Sequence, residues 1–512
     1  MNNMVAGKRV ITILAVIFAL TILSSNIFAH AKMLLSSPSD GETLRSSPKT
    51  IELVFSEELQ NVSMNSIAVT DQNGRRVDKN IVVISEDGKR MLSELEALNG
   101  GEYKVEWKAI SADDHMMKGR FGFKVALYEN QTPAAAVTPE PPPGSDSMRM
   151  DHQMPAQESG TNWAQSAVRW LMYLAMMTIF GGFAFRLMVL KPSLQQARDL
   201  TDEERALGFA RGENRFVRLT WLSLALLAVA AVAGLVLQTS AVLDVSIMQA
   251  FEPSRLGQVL TETSYGSPWL LQIAVMLALG VIVFLIARGR QKDDPAQDAL
   301  NARPTLLWIG LFLCGLLFLT PSLTGHARAA ASEYRLTIIS DWLHLVAVGI
   351  WVGGLFHLAL TMPKSIEHLH GSRRLCVLSR VIPLFNSLAV AATILIVLTG
   401  IYNSWTHVDS FSALWNTPYG QVLSLKIILF LPMLVLGGLN TFVLRKRVDR
   451  FADDAVSAAE HLKTDRSFYR SVRVEAAIGV AVLLLAGILA FLPPARQHEM
   501  PMMSEVTNFH TR

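Results

Sequence analysis

Eight apolar runs, each long enough to cross a bilayer, recur between residues 163 and 492. A helix of about 20 apolar residues spans a hydrocarbon core of about 30 Å, and a backbone placed there must satisfy its own hydrogen bonds. The runs are placed at 163–190, 217–243, 268–288, 304–323, 336–360, 381–403, 419–443 and 472–492. They predict an all-α transmembrane bundle of eight helices over residues 161–493. Only 17% of the 512 residues are charged, against about 25% in soluble domains. Lys and Arg orient the bundle: loops 191–218, 288–303, 363–380 and 444–473 carry 22 of them, whereas loops 244–267, 324–335 and 404–418 carry 3. The positive-inside rule therefore places both ends of the bundle outside, in a multi-pass protein of the cell membrane. A net charge of +3 provides no global basic field for collecting nucleic acid.

The remainder of the chain reads as a different material. Lys8 and Arg9 precede an apolar stretch from Val10 to Leu23 and then Ser24 to Ala29, the order of a secretory signal peptide over residues 1–29. Cleavage after Ala29 would make His30 the first residue, with a free amine beside its imidazole. Over residues 30–126, β-rich runs at 50–55, 66–70, 81–85, 101–110 and 120–126 alternate with turn signals such as Asn73-Gly74 and Asp87-Gly88. This spacing predicts a secreted all-β Greek-key sandwich. Residues 127–160, with Pro141-Pro142-Pro143-Gly144, read as an extended linker, and residues 494–512 as an extracytoplasmic tail. Cys314 lies in an apolar run and Cys376 in a basic loop, so a disulfide between them is not expected.

Groups able to bind a metal are spread over both parts. Asp113 and His115 stand at i and i+2 between two strands, where both can point to one side. In the fifth run Asp341 and His344 are i and i+3 on one helical face, and ionisable groups inside a span are functional candidates by default. His326 ends the fourth run and His407 follows the sixth, so the four gather at the outer half as a candidate path through the membrane. Interfacial histidines and a satisfied interhelical pair are the structural alternative. Softer auxiliary donors, suited to Cu(I), are Met148, Met150, His152 and Met154 in the linker, Met172 and Met176 in the first run, and His498, Met500, Met502 and Met503 in the tail.

His30-Ala31-Lys32, Ser36-Ser37-Pro38, Ser111-Ala112-Asp113-Asp114-His115 and Gly119-Arg120-Phe121-Gly122-Phe123 resemble the periplasmic copper-binding CopC family. The resemblance implies a histidine brace: the amine and Nδ1 of His30, the imidazole of His115 and the carboxylate of Asp113. Met64, Met91, Met116 and Met117 form no run of the kind that serves Cu(I) in some relatives. Gly325-His326, Asp341-Trp342-Leu343-His344, Gly349-Ile350-Trp351-Val352-Gly353-Gly354, Leu398-Thr399-Gly400-Ile401-Tyr402 and Thr417-Pro418-Tyr419-Gly420 resemble CopD, the membrane partner of CopC. The whole is similar to fused, YcnJ-like CopC-CopD copper proteins, which implies copper uptake or homeostasis and a non-enzymatic role.

On this reading the chain captures Cu(II) outside the cell and passes copper into or across the membrane, with copper ions and the lipid bilayer as its partners. Copper resistance by sequestration or export is the alternative, and a histidine-brace oxidase a third reading, against which the Asp113 carboxylate would fill the position oxygen needs. A reductase or copper chaperone is not identified by any motif. One consequence follows for His30: a glycine inserted before it should weaken Cu(II) binding to the soluble domain by orders of magnitude, with circular dichroism unchanged. Equal affinity in a copper titration would eliminate the brace.

Overall fold

The computed structural model describes residues 33–112, 116–126, 163–288, 304–324, 334–408, 410–453, 458–492 and 494–495. They fall into two compact units. The first is a sandwich of eight strands: β1 (Met33–Ser37), β2 (Thr43–Leu44), β3 (Thr50–Phe55), β4 (Ser66–Asp71), β5 (Asp78–Ile84), β6 (Arg90–Leu95), β7 (Gly101–Ile110) and β8 (Met116–Val125). One sheet has the order β1-β3-β6-β5 and the other β2-β8-β7-β4, so chain neighbours are repeatedly separated by crossover connections. Period-two alternation sends Ile51, Leu53 and Phe55 of β3, and Tyr103, Val105, Trp107 and Ala109 of β7, into one core. Trp107 meets Phe55 edge-on with ring centroids 5.2 Å apart. Gly119 on β8 leaves the space that the indole fills, since a Cβ there would lie 2.6 Å from the Trp107 ring.

Asp78 anchors the start of β5 by accepting from Val69 N at 2.8 Å, Asn80 N at 3.0 Å and Arg76 Nε at 2.8 Å. Burial works to raise its pKa, but these hydrogen bonds and the nearby guanidinium outweigh burial and hold the carboxyl below its ordinary value. Three of the strands escape the pattern reading. β2 is two residues long, and β1 is an edge strand with Leu34 and Leu35 exposed. β6 does alternate, with Met91, Ser93 and Leu95 buried, but its polar inward Ser93 weakens the signal.

The second unit holds the eight expected spans: α1 (Trp163–Gln196), α2 (Asp202–Leu243), α3 (Gly266–Arg288), α4 (Pro304–Leu323), α5 (Arg335–Ser365), α6 (Gly371–His407), α7 (Pro418–Phe451) and α8 (Ala459–Leu489). The protein is thus a multi-pass membrane protein with a β-sandwich ahead of its helices. Several helices outrun their apolar stretches, because hydropathy marks only the lipid-facing length. α2 starts 15 residues before position 217, at Asp202, where a capping box closes its first turn: Thr201 Oγ1 accepts from Glu204 N at 3.2 Å and Glu204 Oε2 from Thr201 N at 2.9 Å.

Packing centres on α1 and α5. A Cβ on Gly353 of α5 would stand 2.1 Å from Met177 O of α1, and one on Gly181 of α1 would stand 2.1 Å from Gly353 C. The two backbones touch, as small residues allow in a membrane where helices gain no hydrophobic drive for association. Gly349, one turn before Gly353, faces the rings of Phe180 and Phe318. At this crossing α5 widens into a π turn, Gly349–Gly353, and two further π turns lie at Arg186–Leu190 of α1 and Asn440–Leu444 of α7.

Replacing Gly353 with alanine should therefore cost about 1–3 kcal/mol through overpacking, read as a lower melting midpoint of the purified protein in detergent. Gly438, which has open space around it, is the control: Gly438→Ala should melt like the wild type. Equal midpoints for the two variants would show that the crossing is not tight.

Candidate functional site

His30, Asp113, His115 and His326 lie outside the described residues, as do the linker and tail donors Met148, Met150, His152, Met154, His498, Met500, Met502 and Met503. The described candidates are Asp341, His344, His407, Met172 and Met176. α5 carries the central pair. Each member is held by a different neighbouring helix: Ser322 Oγ of α4 donates to Asp341 Oδ2 at 2.6 Å, and His344 Nδ1 lies 2.9 Å from Thr399 Oγ1 of α6.

The bond at His344 fixes which nitrogen remains for a metal. Thr399 Oγ1 donates its one proton to Leu395 O at 2.6 Å, as threonines inside helices commonly do. It can then only accept from the imidazole. With Nδ1 donating to Thr399, the Nδ1–H tautomer of His344 leaves a free lone pair on Nε2, a position able to accept a metal. The flanking residues brace this stretch of α5: Ser340 Oγ donates to Asn403 Oδ1 at 2.7 Å and Trp342 Nε1 to Gly315 O at 2.7 Å.

Charge around the pair comes from α7. Lys426 interacts electrostatically with both Asp341 and His344, and Tyr419 also senses Asp341. The tyrosine ring stacks on His407 with centroids 6.0 Å apart. His407 itself closes the end of α6, with Nδ1 2.6 Å from Asn403 O and 2.8 Å from Thr406 Oγ1. Asp341, His344, Lys426, Tyr419 and His407 thus belong to one polar region formed by the first half of α5, the end of α6 and the start of α7. Among the described residues, no three His, Cys, Asp or Glu side chains converge tightly enough to hold one metal ion.

The methionines divide. Met176 and Met177 are fully buried packing residues of the helical core. Met172 lines a cleft between α1, α2, α3 and α4 together with Arg169, Gln272 and Thr324, where the guanidinium opposes entry of a cation. Cys314 and Cys376 are both free thiols.

Sequence reasoning passes over several partners. Ser322 and Thr399 are small hydroxyl residues in apolar runs, with no local signal except the Leu398-Thr399-Gly400 motif. Arg186 and Glu213 form a buried ion pair of 2.9 Å between α1 and α2, backed by the rings of Phe209 and Phe216. His357 is buried too, bridging Thr361 Oγ1 at 2.9 Å and Thr178 O at 3.0 Å. Glu475, inside the last apolar run, is 2% exposed and bonded to side chains of α5 and α7.

Comparison with known proteins gives these arrangements a family. Residues 33–126 match the CopC domain, 159–336 the N-terminal domain of copper resistance protein D-like proteins, and 379–489 copper resistance protein D. The copper transport protein CutJ of Bacillus subtilis is 29% identical over 478 residues, 93% of this chain and 76% of CutJ. Copper resistance protein C of Xanthomonas campestris pv. juglandis is 33% identical over 123 residues, 23% of this chain and 96% of that protein. Among solved structures, CopC from Methylosinus trichosporium OB3b is 26% identical, with a TM-score of 0.19, covering 20% of this chain and 100% of that one. With a CopC domain followed by both copper resistance D segments in a single polypeptide, the chain belongs to the CopC-CopD copper resistance and transport family.

Proposed function

We propose that this protein captures Cu(II) outside the cell and passes copper into or across the membrane, acting as a carrier and not as an enzyme. The observation that carries the reading is the Asp341–His344 pair. A carboxylate and an imidazole with an open Nε2 share one face of a spanning helix, where such groups persist only when they pair or meet a wet path. Lys426 supplies the resting countercharge to Asp341. An arriving copper ion competes with that ammonium for the carboxylate, which keeps binding weak enough for release.

Capture is assigned to His30, Asp113 and His115 of the sandwich, with His30 exposed as an N-terminal residue by removal of residues 1–29. The 22 to 3 asymmetry of Lys and Arg between the two sets of loops supports an extracytoplasmic sandwich and tail, in line with the positive-inside rule. A linker over residues 127–160 would hold the donor near its acceptor at an effective concentration in the mM range. Resistance by sequestration or export is the competing reading. Whole-cell copper at low external copper separates the two: a deletion strain should hold less copper than the wild type, and more copper would favour export.

His344→Ala should leave the Cu(II) affinity of the soluble domain unchanged. It should lower copper accumulation to near the deletion strain's level at matched membrane expression. Asp341→Asn keeps an acceptor for Ser322 but removes the charge, so it should lower accumulation similarly. Wild-type accumulation in both variants would reduce the pair to a structural role.

A further inference from the structure

Glu475 is a carboxyl group buried in the bundle, and the two side chains that donate to it are both neutral. Oε1 accepts from Trp351 Nε1 at 3.2 Å and Oε2 from Asn440 Nδ2 at 3.2 Å. Charged groups on the surrounding helices are engaged elsewhere or exposed. Arg186 of α1 bonds Glu213, Arg445 of α7 lies 3.5 Å from Asp449, and Arg380 of α6 and Arg473 of α8 are exposed. Lys426, also on α7, interacts with Asp341 of α5. Two long bonds from uncharged donors do not offset the cost of an ionised carboxylate at this depth. A bound proton removes that cost.

The surroundings accommodate both protonation states. Asn440 is 9% exposed, and its Oδ1 has no hydrogen-bond partner. A half-turn of the amide brings that oxygen to where Nδ2 now stands, 3.2 Å from Glu475 Oε2, ready to accept from the carboxyl O–H. The nitrogen serves the charged form and the oxygen the neutral one. Both donors to Glu475 also sit in π turns, Trp351 in Gly349–Gly353 and Asn440 in Asn440–Leu444, local widenings that recur at functional positions of helices. Next to Asn440, Thr441 Oγ1 donates to Asn386 Oδ1 of α6 at 2.7 Å, which continues the polar line toward the basic ends of α6 and α7.

Trp351 lies one heptad beyond His344 on the same face of α5, about 10 Å further along the helix at 1.5 Å per residue. We propose that Glu475 is a proton-binding site inside the bundle, emptied as copper passes the Asp341–His344 pair and refilled afterwards, so that copper movement is coupled to a proton. The inference rests on the transport reading. The O–H bond of Glu475 breaks, the proton passes to water, and no electron moves. Each proton released offsets one unit of the entering cation's charge within the low-dielectric bundle.

The full-length protein in lipid vesicles provides the test, with infrared spectroscopy and an entrapped pH dye as readouts. Without copper, the wild type should display the carbonyl band of a protonated carboxyl that shifts in D2O, and Glu475→Gln should lose it. Copper addition should release protons from wild-type vesicles but not from Glu475→Gln vesicles, whose copper flux should become independent of a pH gradient. Asn440→Leu retains the carboxyl and should shift the band, which keeps the test open if Glu475→Gln fails to assemble. An unchanged band in Glu475→Gln, or equal proton release by both proteins, overturns the proposal. Vesicles of wild-type protein that move no copper would instead overturn the transport reading, while the infrared band still decides whether Glu475 binds a proton.

Discussion

The contact of backbone with backbone between α1 and α5, where Gly181 meets Gly353, is the constraint from which the rest of the membrane unit follows. Lipid offers no hydrophobic gain for helix pairing, so contact must come from close packing, and only glycine lets two helices touch in this way. Once α5 is pressed against α1, its other faces turn to α4, α6, α7 and α8. The residues singled out as functional lie on those faces: Asp341 against Ser322, His344 against Thr399, and Trp351 against Glu475. α5 is the scaffold that carries Asp341, His344 and Trp351 to these partners.

Those stations are built economically. Among the described residues none of them is a closed cage, and Asp341 and His344 each meet a hydroxyl group of a neighbouring helix. A bare charge would not be tolerated inside a span. Hydroxyl donors and acceptors, with Lys426 as a distributed counter-ion, occupy the middle ground. The sandwich is organised differently. Its core is complete in itself around Trp107 and Phe55.

The helices themselves were legible because bilayer thickness sets a length and hydropathy reports it locally. Eight apolar runs became eight spanning helices, and the β-rich spacing of residues 30–126 became a sandwich. The ends of helices were less legible: polar turns such as 202–216 continue a helix in water and carry no apolar signal. Of the candidate site, Asp341 and His344 stood out as costly residues in an apolar run, and the motifs around them pointed to the CopC-CopD family. Met176 stood out for its chemistry as well, yet the fold uses it as filler.

The sequence by itself determined the division into a soluble and a membrane part, the number of spans, the asymmetry of loop charge and the family. Each of these depends on composition or on spacing within a few dozen residues. Tertiary structure alone decided the partnerships. Ser322 stands 19 residues before Asp341, Thr399 stands 55 after His344, and Glu475 stands 124 after Trp351. Which of many hydroxyl and amide side chains meets a given carboxyl depends on the rotation and register of helices about the α1–α5 crossing. The His344 tautomer and the neutral surroundings of Glu475 exist only once that packing is complete.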